Sequence, residues 1–290
     1  MKNVRKYLTE NTVIFDGAIA TMLMQKGLRP GESPELWMLE KPEKIREAHD
    51  EYLRAGAEIL TTNTFGASRF RLREYGRENE GLQICETAVR LAKESAGENA
   101  LVAGSIGPVG LKFHGENLEV IYRAFEEQAG YIAESGADLL IIETMIEITE
   151  AEIALKACKN AVEIPVVISL GFVDGDKMPD GTTPENAVEI LAKHQPLAIG
   201  TNCGDPKEMI ENVRELRRSW NGPILAEPSA GLPGMREGVP VWRMTPEEMA
   251  DIALKLHSAG ANLIGSCCGT TPEFTSAIVK AVKRCNANIL

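Results

Sequence analysis

The chain has 290 residues, a formal net charge of −11 and an aromatic content of only 5%. The acidic balance and the scarcity of stacking rings argue against nucleic acid or an anionic membrane surface as a partner. No run reaches the roughly 18 apolar residues of a membrane span, and the N-terminus lacks the apolar core of a signal peptide. We therefore expect a cytoplasmic protein, in which the six cysteines are reduced, metal-bound or catalytic rather than disulfide-bonded.

Strand-like and helix-like segments alternate from one end of the chain to the other. Each short apolar run is followed by a stretch with apolar residues at helical spacing. Several of these stretches end in glycine, at Gly56, Gly136 and Gly260, as helices often do. The predicted strands are 13–17, 58–65, 100–107, 138–144, 165–172, 197–203, 223–228 and 263–267. Eight such units predict one α/β domain over residues 1–290, a single (β/α)8 TIM barrel. An open doubly wound sheet is the competing fold, but DGAIATML after the first strand is no glycine-rich phosphate loop.

Polar residues collect where the predicted strands end. Active sites of TIM barrels lie at these carboxyl ends. The sequence therefore predicts that one site draws on residues from several strands. The strand-end residues with chemistry to offer are Asp16, Asn63, Glu143, Asn202, Cys203, Glu227, Ser266, Cys267 and Cys268.

Three cysteines are the most informative of these residues. Cys203 follows the sixth strand in LAIGTNCG, and Cys267 and Cys268 follow the eighth in LIGSCCGTTPEF. Catalytic zinc commonly has three protein ligands and one open position, and glycines on both sides of the adjacent pair allow the backbone to bend. The alternative is that all three are small buried hydrophobic residues. Zinc held by three thiolates suits a substrate thiol, which stays deprotonated and nucleophilic when bound.

Six sequence runs together resemble the homocysteine S-methyltransferase family over residues 13–285. These runs are DGAIATML, TTNTFGAS, GSIGPVG, IIET, GTNCG and GSCCGTTPE. The resemblance implies a (β/α)8 barrel with homocysteine as methyl acceptor and methionine as product. It also implies that Cys203, Cys267 and Cys268 bind zinc.

The resemblance assigns the amino-acid end of homocysteine to two other strand ends. It implies that Glu143 holds the substrate amino group and that the turn formed by Asp16 and Gly17 contacts the same end of the molecule. The chemistry agrees, because an ammonium in a partly dry pocket needs a carboxylate partner. On the residues alone, Glu143 would be a structural ion-pair partner and Asp16 a turn or capping residue.

The methyl donor is predicted from the branch of the family that the chain resembles most. NTFGAS and CCGTTPE resemble the homocysteine-binding module of cobalamin-dependent methionine synthase, which implies a methylcorrinoid such as methylcobalamin as donor. We expect this donor to come on a separate corrinoid protein or as free cofactor. Gly66 stands where betaine-using members have a tyrosine, and this disfavours betaine. Ser229 replaces an asparagine that can occupy the fourth zinc position in the synthase, so we expect water there.

Three alternatives to this reading stay open. The donor is S-methylmethionine or S-adenosylmethionine in the first. In the second, the protein moves methyl groups between a methylated metabolite and a corrinoid protein. The third is not enzymatic and makes the chain a metal-binding subunit of a larger assembly.

Overall fold

Eight parallel strands form the centre of the protein. The computed structural model describes residues 3–110, 118–172, 175–236 and 239–287, with side chains described as far as residue 284. The strands are β1 Val13–Ile14, β2 Ile59–Thr61, β3 Leu101–Ile106, β4 Leu139–Met145, β5 Val166–Leu170, β6 Ala198–Asn202, β7 Ile224–Glu227 and β10 Leu263–Ile264. The sheet has the order β1-β10-β7-β6-β5-β4-β3-β2, and a parallel bridge between Phe15 and Ile59 joins its two edges. This confirms the predicted (β/α)8 TIM barrel.

The helices surround this barrel and follow the predicted periodicity. Three predicted helix ends are confirmed, because Gly56, Gly136 and Gly260 have φ values of 100°, 99° and 117°. This left-handed backbone carries little steric cost in glycine. The helices are α1 Val4–Glu10, α2 Ile19–Gln25, α3 Trp37–Glu40, α4 Pro42–Ala55, α5 Arg69–Arg73, α6 Gly81–Ala96, α7 Leu118–Glu134, α8 Ile148–Ala161, α9 Pro184–Leu191, α10 Pro206–Ser219, α11 Pro246–Ala259 and α12 Pro272–Ala287, with a 3-10 turn at Ala192–His194.

Two apolar layers hold the barrel together. Side chains that alternate along the strands fill its interior, while the intervening residues pack against the helices. Helix α1 closes the amino-terminal end, where Leu8 is fully buried in the inner layer and its carbonyl accepts a hydrogen bond from Asn262 just before β10. The candidate site lies at the opposite end of the barrel, at the carboxyl termini of the strands. None of the described helices is long and apolar enough to cross a membrane.

A short antiparallel hairpin interrupts the β–α alternation after β7. Its strands are β8 Gly234–Arg236 and β9 Val239–Val241. The sequence analysis did not predict it. The hairpin leads directly into Trp242, which lines a cavity at the carboxyl ends of the barrel strands.

Candidate active site

A cavity of about 300 Å³ opens at the carboxyl ends of the strands. Its walls come from residues that are far apart in sequence and that the barrel brings together. All six residues that the resemblance assigns to zinc or substrate line it, namely Asp16, Gly17, Glu143, Cys203, Cys267 and Cys268. Of the other predicted strand-end residues, Asn63, Glu227 and Ser266 line the cavity, whereas Asn202 does not.

The three cysteine sulfurs form a cluster suited to a metal ion. Their Sγ atoms all lie within 4.8 Å of one another, with 3.5 Å between Cys203 and Cys268 and 3.9 Å between Cys267 and Cys268. Tetrahedral zinc with Zn–S bonds of about 2.3 Å places its sulfur ligands about 3.8 Å apart. A disulfide would instead require about 2.05 Å. The donor set and its spacing therefore fit a thiolate-bound metal such as zinc.

The backbone that presents these sulfurs is held by the last residue of β7 and by the loop that follows it. Cys203 has a left-handed φ of 63°, and its N–H donates to the carbonyl of Glu227 at 3.1 Å. The N–H of Cys267 donates to the carbonyl of Pro228 at 2.8 Å, and that of Ala230 donates to the carbonyl of Cys268 at 2.8 Å. The end of β7 and its loop thus fix the positions of the cysteines that follow β6 and β10 relative to each other.

The sulfurs share hydrogen bonds when no metal is bound. Thiol donors from Cys267 and Cys268, and then the Ser229 hydroxyl at 3.8 Å, lower the pKa of Cys203 to about 3. The hydrogen bond to Cys203 in turn raises the pKa of Cys267 and that of Cys268, the latter to about 12. Ionisation of one sulfur therefore opposes ionisation of the other two. A metal cation would allow all three to ionise.

Four carboxyl groups line the same cavity: Asp16, Glu35 and Glu227 are buried, and Glu143 is partly exposed. Burial raises the pKa of Asp16 and of Glu143 to about 7, and burial together with the charges of these two raises that of Glu227 well above its usual range. Asp16 accepts a hydrogen bond from the Thr61 N–H at 2.8 Å, and Glu143 accepts one from the Ser105 hydroxyl at 2.5 Å. Among the described residues, no lysine, arginine or histidine lines the cavity. The site can therefore stabilise a positively charged group.

Gly17 occupies a place where a side chain would collide with its neighbours. A Cβ at this position would lie 2.9 Å from the Tyr52 ring and hydroxyl and 2.9 Å from the Thr270 hydroxyl. The N–H of Ala18 also donates to that threonine hydroxyl at 3.3 Å. The first strand turn is thus packed closely against α4 and the loop that follows Cys268.

Several residues of the cavity were not singled out by the sequence analysis. Glu35 lines the cavity and accepts hydrogen bonds from the Ser33 hydroxyl and the Gly66 N–H at 2.6 and 2.7 Å. Ser105 and Thr144 also line it. Ser105 had a usable signal, because GSIGPVG lies at a strand end. Glu35 had no usable sequence signal, because it lies in the loop before α3 and not at a strand end.

Comparisons with known proteins agree with this geometry. Residues 13–282 match the family model described as homocysteine S-methyltransferase. The homocysteine methyltransferase MmuM from Escherichia coli is similar in structure at 26% identity. Its metallated form has a TM-score of 0.81 and the match covers 94% of this chain and 96% of that one. Its oxidized form gives 0.80, with 96% and 97% covered. A methyltransferase from Methanosarcina mazei, at 12% identity and a TM-score of 0.63, shares the fold over 98% of this chain and 96% of its own.

Proposed function

Because the chain belongs to the homocysteine S-methyltransferase family, we propose that it binds zinc through Cys203, Cys267 and Cys268 and methylates homocysteine to methionine. The observation that carries this proposal is the position of the three sulfurs, within 4.8 Å of one another in the wall of a cavity that also holds buried carboxyls. The similar Escherichia coli homocysteine methyltransferase has a metallated form, which supports metal binding by this chain. Membership of an enzyme family disfavours the non-enzymatic alternative.

The proposed division of labour separates the two ends of the substrate. When bound, zinc keeps a substrate thiol deprotonated at neutral pH while its sulfur stays nucleophilic. Glu143 binds the substrate ammonium, and Ser105 holds the Glu143 carboxyl through its hydrogen bond at 2.5 Å. Asp16 adds negative charge to the same wall, and Gly17 leaves the first strand turn close to the substrate. No further side chain is needed as a general base.

We propose a methylcorrinoid carried by a separate protein as the methyl donor. The resemblance of NTFGAS and CCGTTPE to the synthase module supports this choice. The open end of the barrel also carries exposed apolar side chains, since Leu232 is 87% exposed and Met235 is 70% exposed. We propose that these two side chains are part of the surface that the corrinoid protein covers.

A second candidate, a small sulfonium donor such as S-methylmethionine or S-adenosylmethionine, is supported by a side cavity. This cavity has a volume of about 220 Å³ and reaches Cys203 and Cys268 from the side of Trp242 and Leu232. An indole face attracts cations. Asp205 is the only charged residue among those described that line the side cavity.

The test is methionine formation from homocysteine by zinc-loaded protein, with each donor offered separately. Turnover with methylcobalamin alone would support a corrinoid partner, whereas turnover with a sulfonium compound would support the second candidate. Methylation of a corrinoid protein by a methylated metabolite without homocysteine would contradict homocysteine as the acceptor. Bound zinc without turnover of any donor, including betaine, would contradict the proposal for the isolated chain.

A further inference from the structure

Strand β4 contains an irregularity at the residue that follows Glu143. Its pairing with β5 shifts register between Ile142 and Met145, and Thr144 between them has a left-handed φ of 58°. Ile141 belongs to the inner apolar layer, while Ile142 and Met145 belong to the outer one. Uninterrupted alternation would direct Met145 inward. Because of the extra residue, Glu143 faces the cavity while Met145 packs in the outer layer. Bulges that redirect side chains in this way are common next to active sites.

The side chain of Asn202 holds this bulge from two strands away. Its Oδ1 accepts hydrogen bonds from the Thr144 N–H at 2.9 Å and from the Ser169 hydroxyl at 2.8 Å. Its Nδ2 donates to the Thr144 hydroxyl at 2.7 Å. Asn202 is fully buried. Because a left-handed backbone is disfavoured in a β-branched residue, Thr144 needs such an external partner to stay in this conformation.

The residue after Asn202 is the metal-binding candidate Cys203. Its φ of 63° is also left-handed, so the backbone turns sharply on leaving β6. Non-glycine residues with this backbone are uncommon, and two of them meet at one asparagine here. The side chain of Asn202 thus fixes the bulge that carries Glu143, while its main chain leads directly into Cys203.

We propose that Asn202 is a positioning residue that sets the separation between Cys203 and the carboxyl group of Glu143. This inference rests on the proposed function, in which homocysteine spans these two groups with its sulfur and its ammonium. The carbon chain between the sulfur and the amino nitrogen is short, so the distance that the substrate can span has an upper limit. If Cys203 or Glu143 were displaced, the substrate could therefore no longer place its sulfur at the metal and its ammonium at Glu143 equally well at the same time.

The first test compares Asn202→Ala with the same change combined with Thr144→Gly. We expect Asn202→Ala to raise KM for homocysteine roughly tenfold to a hundredfold, because displacement of a positioned group has effects of this size. Glycine adopts a positive φ without assistance. Adding Thr144→Gly should therefore recover most of the loss, which a general loss of stability would not do. An equally high KM in the double variant would overturn the proposal.

A matched control and a milder variant complete the kinetic test. Asn212 is also a buried asparagine, 3% exposed, and donates to the carbonyl of Gly175 at 3.2 Å away from the cavity. Asn212→Ala should leave KM unchanged. Thr144→Val removes only the hydroxyl that accepts from Asn202 and keeps the side-chain volume. Should Asn202→Ala fail to fold, Thr144→Val must still raise KM measurably, and an unchanged KM would overturn the proposal.

The second test follows ligand binding without turnover, by the visible absorption of the cobalt(II)-substituted protein. Homocysteine and propanethiol, which lacks the amino-acid end, are titrated in turn. We expect Asn202→Ala to weaken homocysteine binding roughly tenfold or more and to leave propanethiol binding unchanged. Equal homocysteine affinity in both proteins would overturn the role of Asn202 alone. A wild-type spectrum that homocysteine does not alter would instead contradict the proposed function.

Discussion

Glu143→Gln tests whether the amino group of the substrate meets a carboxylate in the cavity. The substitution keeps the size of the side chain and an oxygen that can accept the Ser105 hydrogen bond of 2.5 Å, but it removes the negative charge. A hydrogen bond to a charged group contributes about 1.5–3 kcal/mol, which corresponds to a factor of roughly 10–150 in affinity. This contact is made in the ground state and the transition state alike. We therefore expect KM for homocysteine to rise by about this factor, with kcat little changed.

The assay is the initial rate of methionine formation by zinc-loaded protein over a range of homocysteine concentrations. Glu150→Gln is a matched control, because burial raises the pKa of Glu150 to about 7 as it does that of Glu143. It accepts a hydrogen bond from the Val109 N–H at 2.8 Å and does not line the cavity. An unchanged KM in Glu143→Gln, or an equal rise in Glu150→Gln, would refute the reasoning.

The same contact predicts a dependence on pH. Burial raises the pKa of Glu143 to about 7, so the free carboxyl is charged above that value and becomes neutral as the pH falls through it. We expect KM of the wild type to rise as the pH is lowered from about 8 to about 6, because the ammonium loses its charged partner. Asp16, whose pKa is also raised to about 7 by burial, contributes to the same effect. The dependence should therefore become shallower in Glu143→Gln without disappearing.

Three further substitutions test the metal site, the first strand turn and the core. Cys267→Ser should abolish both zinc binding and activity, measured by metal analysis and turnover, and a variant that keeps both would contradict the assignment. Gly17→Ala places a methyl group 2.9 Å from Tyr52 and Thr270, and we expect thermal unfolding to report a loss of about 1–3 kcal/mol. His49 is fully buried, neither ring nitrogen has a partner among the described residues, and burial lowers its pKa to about 4. Its folded state therefore binds fewer protons than its unfolded state between pH 6.5 and 4, so wild-type stability falls as the pH falls through this window. The free energy of unfolding of His49→Leu minus that of the wild type, measured with denaturant, should be about 2 kcal/mol larger at pH 5 than at pH 7.5. An equal difference at both pH values would contradict this.

The strands and helices could be predicted because their signals are local. Each of the eight barrel strands overlaps its predicted range, since buried parallel strands are short apolar runs bounded by turns. The hairpin β8–β9 was not predicted, because its residues lack a clear alternation of apolar and polar side chains. The bulge at Thr144 was also missed. Its left-handed backbone depends on Asn202, which lies 58 residues further along the chain, and no local pattern reports such a partner.

Some features of the candidate site could likewise be predicted from the sequence, and others could not. Cys203, Cys267 and Cys268 could be predicted as neighbours because the fold gathers strand ends at one face. The raised pKa values of Asp16 and Glu143 could not be predicted, because they follow from burial in a cavity that several strands enclose. A sequence shows which groups can ionise. Only the assembled cavity shows which of them lose water.

The cavity's charge pattern links metal and substrate binding. It concentrates carboxyl and thiol groups, and none of the described residues that line it is basic. In the proposed complex, a metal cation allows the three sulfurs to ionise and takes the substrate sulfur as a further ligand, while the carboxyls attract the ammonium at the other end of the same molecule. Because coupling between two binding events is reciprocal, homocysteine must strengthen zinc binding by the factor by which zinc strengthens homocysteine binding. Retention of zinc against a chelator therefore measures substrate binding in the absence of any methyl donor.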